Sequence, residues 1–367
     1  MSFPGDRKGA RADNNIPEDE RRTFGQQSPY ATGSTGAPPV SPIVPASAPA
    51  FAQPQEPSHS SQDDDKGSGG SGDDLCGGRW RFTRNLTDFE LSPTLDDFRV
   101  TMSGMVGYVI VEQAQDDANV QGTTKLIIEG SGADREDVNT INRFVKQDEF
   151  DNSVTVGITR FPGVGYPDCL RVVVKIIFPS LKTNVRRLKI AVGEGNVTVN
   201  LLENGHGHGR NRPSIQVQEL DSRVITGHSH IRADVPTWIR LGGSVGTMMG
   251  EVVVGKEMSV AMVDGNVSLN LVQRSENNKM ESKIAVANGN LRIGLPTPYK
   301  GAFKLQTLEG KVDVQNQDPA RTHLTAVTDS SITGWSSSMG KEPSSASELK
   351  LNSRSGYVTL SMARIDV

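Results

Sequence analysis

Cysteine is nearly absent: Cys76 and Cys169 are the only two in 367 residues. Two are too few for a disulfide framework, and both read as free thiols of a reducing compartment. Aromatic residues make up 5% of the chain, which argues against a sugar-binding platform of exposed Trp and Tyr and leaves Trp80, Trp238 and Trp335 as core or capping residues. No stretch approaches the roughly 18 consecutive apolar residues that cross a bilayer. The longest run, Leu170 to Pro179, is broken by Arg171 and Lys175. The opening residues, MSFPGDRKGARADNN, carry charge without the apolar core of a secretory signal. From these absences the chain is expected to have no transmembrane segment and to be cytoplasmic. An excess of one charge is missing too. The formal net charge of −4 divides into about −5 in residues 1–75 and about +1 beyond, so no nucleic-acid partner is expected. The local basic clusters at Arg186, Arg187 and Lys189 and at Arg210 and Arg212 read as solvated surface.

Residues 1–75 differ in kind from the rest. They hold half of the 20 prolines, in runs such as APPVSPIVPASAPAFAQPQEP, and end in DDDKGSGGSGDD. Such a composition lacks the apolar area to offset its conformational entropy, so a disordered tail over 1–75 and one folded domain over 76–367 are expected.

What the folded part has in abundance is one phrase. In LKIAVGEGNVTV, Leu188, Ile190 and Val192 alternate with polar residues, Gly195 follows, and Val197 and Val199 resume the alternation. The phrase reads as strand, tight turn, strand, with its apolar side chains on one sheet face. Copies centre on Gly265, Gly289, Gly310 and Gly356, and an early one on Gly107. Counting Gly334, the steps from Gly265 to Gly356 are roughly 21 to 24 residues, in the range of solenoids, whose units must stack to bury their apolar faces. Between Leu201 and Val254 the pattern degenerates, which marks a place for insertions or function. A short helix is expected near Asp137 to Val145, strands at Lys125–Glu129, Val154–Ile158 and Arg171–Phe178, and an edge cap in the aromatic lead-in after Trp80. The predicted fold is all-β: a right-handed β-helix or β-solenoid of strand-turn-strand rungs behind a disordered N-terminal tail.

The segments LRVVVKIIFPSLKTNVRRLKIAVGEGNVTVNL, LPTPYKGAFKLQTLEGKVDV and SRSGYVTLSM resemble the putative-adhesin β-helix domains of bacteria and fungi, over residues 95 to 362. The phrase around Leu295 to Leu305 is the most similar to fungal members. The resemblance implies fold, supplies no catalytic residues, and implies a cell-surface location that the missing signal and span oppose. Asn85, Asn196 and Asn266 stand in sequons, acceptors only if the chain is exported.

Candidate chemistry is sparse. His206 with His208 and His228 with His230 form two His-x-His pairs about one repeat step apart. Alternate strand residues share a face, so the four imidazoles are candidate ligands for a metal such as zinc. Acid pairs, Asp96 with Asp97, Asp116 with Asp117, and Asp134, Glu136 and Asp137, are what a glycan-cleaving β-helix enzyme would need. No G-x-S-x-G elbow and no strand-to-helix glycine loop occurs. The reading these residues favour is a non-catalytic scaffold binding an unidentified protein or glycan. A histidine-mediated metal protein and a glycan-active enzyme remain as alternatives.

Overall fold

The computed structural model describes residues 82–362, apart from 115–121, 134, 162–169, 181, 203–214, 275–278, 296–298, 317–320 and 338–346. The Pro-rich tail, Trp80, both cysteines, His206 and His208 lie outside the described residues. In chain order, β1 (Phe82–Leu91), β2 (Asp97–Gln113) and β3 (Thr124–Gly132) precede one helical turn, α1 (Arg135–Asn139). β4 (Ile141–Asp148), β5 (Ser153–Arg160) and β6 (Leu170–Phe178) follow, then four long strands: β7 (Asn184–Asn200), β8 (Gln216–Val235), β9 (Trp238–Val254) and β10 (Glu257–Gln273). The rest is β11 (Glu281–Asn288), β12 (Leu291–Leu295), β13 (Gly301–Asn316), β14 (Thr322–Val327), β15 (Ser331–Ser336) and β16 (Ser347–Met362). The protein is therefore all-β over its described residues. The expected helix shrinks to α1, because Ile141 onward pairs antiparallel with β5.

All sixteen strands join one mixed sheet. Its centre is parallel, in the order β2, β7, β8, β9, β10, then β11 with β12, then β16 and β13. On one side β6 pairs parallel with β2 and is followed by antiparallel β3 and β1, and antiparallel β15 and β14 flank the other. The lead-in after Trp80 thus supplies the first strand of the sheet order, at the edge where a cap was expected.

The repeated glycine is the point where each long strand changes direction. In β10, Met258, Val260 and Met262 are buried, Val263 and Asp264 are both exposed, and Val267, Leu269 and Leu271 are buried again. Two successive exposed residues shift the alternation by one. The inward residues therefore belong to two arms meeting at a corner, and the expected tight turn is replaced by one strand that runs through it. The corner residue two before the glycine, such as Ile225 or Val263, has no partner in the ladder on any long parallel rung from β7 onward.

Neighbouring corners sit in register: Gly195 pairs with Gly227, Gly227 with Gly246, and Gly246 with Gly265. Gly246 has φ +140°, and a Cβ there would fall on the carbonyl oxygen of Gly227. The same collision with the preceding rung recurs at every later member of the column, so glycine is required twice over, by dihedral and by space. The Asn that follows the glycine has its own task. Asn196 Oδ1 accepts from the His228 backbone N–H at 3.2 Å, Asn266 Oδ1 from that of Asn290 at 3.1 Å, and Asn290 Oδ1 from that of Tyr357 at 3.1 Å. Each Asn therefore satisfies a donor on the next rung, which an unpaired corner would leave open.

Two expectations change. The stretch from Leu201 to Val254 contains β8 and β9, two of the most completely paired rungs. Its pattern looks irregular because Ser222 and Ser229 stand where the template has apolar residues, and Gly243 and Gly250 do the same in β9. All but the glycines are buried, and the space above Gly243 is filled by Met262, whose Sδ would lie 2.8 Å from a Cβ there. The order of rungs also departs from the order of the chain. β16 inserts between β11 and β13, so Gly356 stacks on Gly289 and Gly310 on Gly356. Gly334 lies outside the column, in β15, opposite Phe303.

Gly246→Ala is expected to cost at least about 3 kcal/mol in chemical denaturation, from forbidden φ and the carbonyl clash together. Gly242→Ala, where the nearest atom to the new Cβ is Arg223 Cγ at 3.6 Å, is expected to change stability by less than about 1 kcal/mol. Similar losses for both would remove the special role of the column.

Candidate interaction face

Because the first arm buries the residues seven, five and three before each glycine, those six and four before it point outward. The row at six holds Lys189, Arg240, Lys283, Lys350 and Lys304, and Arg99 joins it in register because β2 carries an irregularity between Met102 and Val106, so that a cation stands on six of eight parallel rungs. Asp221 and Ser259 occupy the other two. The row at four holds Ala191, Gly242, Ala261 and Ala285, together with Thr101, Asn352, Gln306 and, on β8, Arg223. A floor of short and amide side chains, crossed by Arg223, therefore runs beside a cationic rim. Two depressions lie on that floor. One of about 250 Å³ is bordered by Arg99, Thr101, Lys189, Ala191, Asp221 and Arg223. The other, about 570 Å³, has Ala261, Ala285, Asn352 and Gln306 as its floor, with Leu308 and Arg354 on one side and Ser330 at its end.

Charges behind the rim divide its cations into two groups. Lys283 pairs with Glu281 at 2.7 Å and Lys350 with Glu348 at 2.8 Å. Hydrogen bonding between Lys283 and Glu281 raises the pKa of the amine and lowers that of the carboxyl. Lys189, Arg240 and Lys304 make no ion pair among the described residues, and Arg240 instead lies over the Trp238 ring, 5.2 Å from its centroid.

Asp97, at 1% exposure, takes the strongest electrostatic load. Its carboxylate accepts from Arg99 Nε and Nη2 at 3.3 and 3.2 Å, from Arg187 Nη1 at 3.2 Å and from Arg186 Nη2 at 3.5 Å. Arg187 also donates to Glu219 at 2.6 Å, the contact that does most to raise its pKa, ahead of Asp97. The basic cluster at Arg186, Arg187 and Lys189 is thus split: two guanidiniums are committed to Asp97, and only Lys189 joins the outward rim. Asp96 and Asp97 accordingly belong to an arginine network. Glu136 and Asp137 lie in α1, and Asp116, Asp117 and Asp134 fall outside the described residues.

His228 and His230 both stand on the outward face of β8's second arm, as their spacing implies. His228 Nδ1 is 2.6 Å from Thr247 Oγ1. Partial burial, and then the Arg232 guanidinium, hold the His230 imidazole below its ordinary pKa, so it is neutral at pH 7. No group of three or more His, Cys, Asp or Glu with metal-site geometry occurs among the described residues. Trp335 stacks on His323 with centroids 4.2 Å apart. Among the described residues no helix is long and apolar enough to cross a membrane.

No family model matches the chain, and no curated protein matches it in sequence. Solved structures similar to it include a putative cell adhesion protein from Clostridium sporogenes, at 11% identity and a TM-score of 0.34, covering 77% of this chain and 100% of that one. A putative adhesin from Bacteroides fragilis is 13% identical with a TM-score of 0.34, covering 77% and 98%. One from Parabacteroides distasonis is 12% identical with a TM-score of 0.27, covering 77% and 97%.

Asp97→Ala leaves three guanidiniums without their shared carboxylate. Because these arginines are partly solvated, the expected loss is about 2 to 3 kcal/mol, below that of a wholly buried pair. Glu281→Gln, at a fully exposed pair, is expected to leave the melting temperature unchanged. Equal effects in thermal denaturation would contradict the assignment of Asp97 as the organising charge.

Proposed function

We propose that the chain is a non-catalytic interaction scaffold of adhesin-like type, a coiled stack of rungs that presents its outward rows to an extended partner. The coil is supported by the connections. β8 passes to β9 through Pro236 and Thr237, and β9 to β10 through Gly255 and Lys256, yet each pair is parallel along its length. Parallel strands ordinarily need a crossover of about a dozen residues. A two-residue link suffices only where each rung has already returned to its own beginning.

The observation that carries the functional reading is the coincidence of both depressions with one outward row, Thr101, Ala191 and Arg223 in the first and Ala261, Ala285, Asn352 and Gln306 in the second, beside the cationic rim. Repetition of the corner at every rung makes that row straight, and a straight row fits an extended ligand. Catalysis would require a pair of acids or an activated nucleophile on the same floor; its residues are alanine, glycine, threonine, serine, amides and Arg223, and Asp221 at its border is paired with Arg223 at 3.1 Å.

The test is retention without turnover. The purified full chain is immobilised and exposed to arrays of glycans and peptides, and the bound material is recovered and sized. Retention of an intact ligand, lost on Ala261→Glu with Ala285→Glu, is the expected result. Release of shortened ligand with new reducing ends would make the protein an enzyme and end the scaffold reading.

A further inference from the structure

We infer that the trough takes a linear polyuronate, laid along the stack with its carboxylates against the cationic rim. The inference rests on the interaction-face reading above and names its ligand.

The first support is spacing. Adjacent parallel strands lie about 4.8 Å apart, so eight rungs set a ruler roughly 34 Å long whose marks are side chains of one row. Lys283, Lys350 and Lys304 occupy three consecutive marks, and Arg99 and Lys189 another two. A hexuronic acid carries one carboxylate per pyranose ring, and a ring with its glycosidic oxygen advances an extended chain by about one such step. Its same-side carboxylates, on alternate rings, recur about every two rungs, the separation at which Lys189, Arg240, Lys283 and Lys304 mark the second, fourth, sixth and eighth rungs. Same-side carboxylates of an extended acidic peptide recur every second residue, about 6.6 Å, and stacked nucleotides of one strand every 3.4 Å. Both lose register with the rim within a few rungs.

The second support is the pairing of the rim. Lys189, Arg240 and Lys304, which make no ion pair among the described residues, are spread over the second, fourth and eighth rungs of the stack. An anion that meets all three must be long. A compact anion such as phosphate would reach one of them, so length is the property the site selects. The carboxylates of Glu281 and Glu348 stand behind Lys283 and Lys350 and leave each ammonium to share a further acceptor in front.

The third support is the floor. Gly242, Ala261 and Ala285, on three successive rungs, let a sugar ring approach the backbone ladder closely, and Arg223 on the rung before them adds a guanidinium to the same row. At the far end Asn352, Gln306 and Ser330 bring amide and hydroxyl groups to the same depression, suited to ring hydroxyls. Individual exposed charge pairs are weak, so affinity must come from many of them held in one line.

The experiment uses the full chain and oligogalacturonates of increasing length, their methyl esters, and poly-L-glutamate of matched charge, titrated calorimetrically at low and at physiological salt. Affinity is expected to rise with length until about eight sugars, one per rung, and then to level off. Methyl esterification should abolish binding, and polyglutamate should bind more weakly. The triple variant Lys189→Gln, Arg240→Gln, Lys304→Gln changes only exposed or half-exposed side chains. It should keep its melting temperature and lose about tenfold in affinity. Absence of binding, equal binding of polyglutamate, or an unchanged triple variant would each overturn the inference. If a neutral glycan or a peptide is retained on this face instead, the polyuronate falls and the scaffold stands. If galacturonate is bound through the triple site and also cleaved, the polyuronate stands and the scaffold falls.

Discussion

A hydrogen atom in place of a side chain at one position per rung is the constraint on which the structure depends. At Gly246 the Cα lies so close to the carbonyl of Gly227 that no Cβ fits, and Gly227 stands in the same relation to Gly195. This close approach lets successive corners stack directly, which keeps the two arms of each rung over those of the rung before. Once the corners coincide, every other position falls into a row. Leu188, Leu220, Ile239 and Met258 bury one another, and so do Val197, Ser229, Met248 and Val267. Burying each large side chain contributes about 1.5 to 3 kcal/mol, but the rows exist because the column holds register.

The outward rows are a consequence of the inward ones. Arg99 and Lys350 lie far apart in sequence, yet register places both in one outward row. Register converts a scattered set of Lys and Arg into a line, and short residues at the adjacent position into a floor. Asp97 serves the other purpose of charge in this fold. It gathers Arg99, Arg186 and Arg187 at the start of the first parallel rung, next to the junction with β5 and β7, and so ties three segments together through one carboxylate.

Much of this was legible in the sequence, and the limits have physical causes. The spacing around Gly195, Gly265 and Gly289 announces the repeat, because glycine there is a steric requirement and the apolar positions obey the alternation of a strand. The copies at Gly227 and Gly246 are hidden: Ser222 and Ser229 are small enough to be buried in an apolar row, and Gly243 yields its space to Met262. Composition thus disguises a geometry that is fully kept. The parity of the template, odd before the glycine and even after it, already implies a corner, and reading it as a single face with a tight turn overlooked that. The insertion of β16 between β11 and β13 leaves no trace in periodicity, since Gly310 and Gly356 present the same phrase in either order. The cationic rim was for that reason invisible from the sequence, where nothing relates Lys304 to Lys350 and Arg186, Arg187 and Lys189 form one cluster. His228 and His230 share the outward face of β8's second arm, while His206 and His208 lie outside the described residues.

The insertion of β16 sets every row at that end of the parallel ladder. Neighbouring parallel strands place paired Cα atoms about 4.8 Å apart, within reach of a disulfide, whereas strands two steps apart are beyond it. In a chain whose Cys76 and Cys169 are replaced by serine, cysteines at Asn288 and Ser355 should oxidise to a disulfide or accept the shortest thiol crosslinker. Cysteines at Asn288 and Glu309 should do neither. Efficient closure of the second pair and failure of the first would place β13 directly beside β11, and would contradict both the glycine column as described and the line of charges that follows from it.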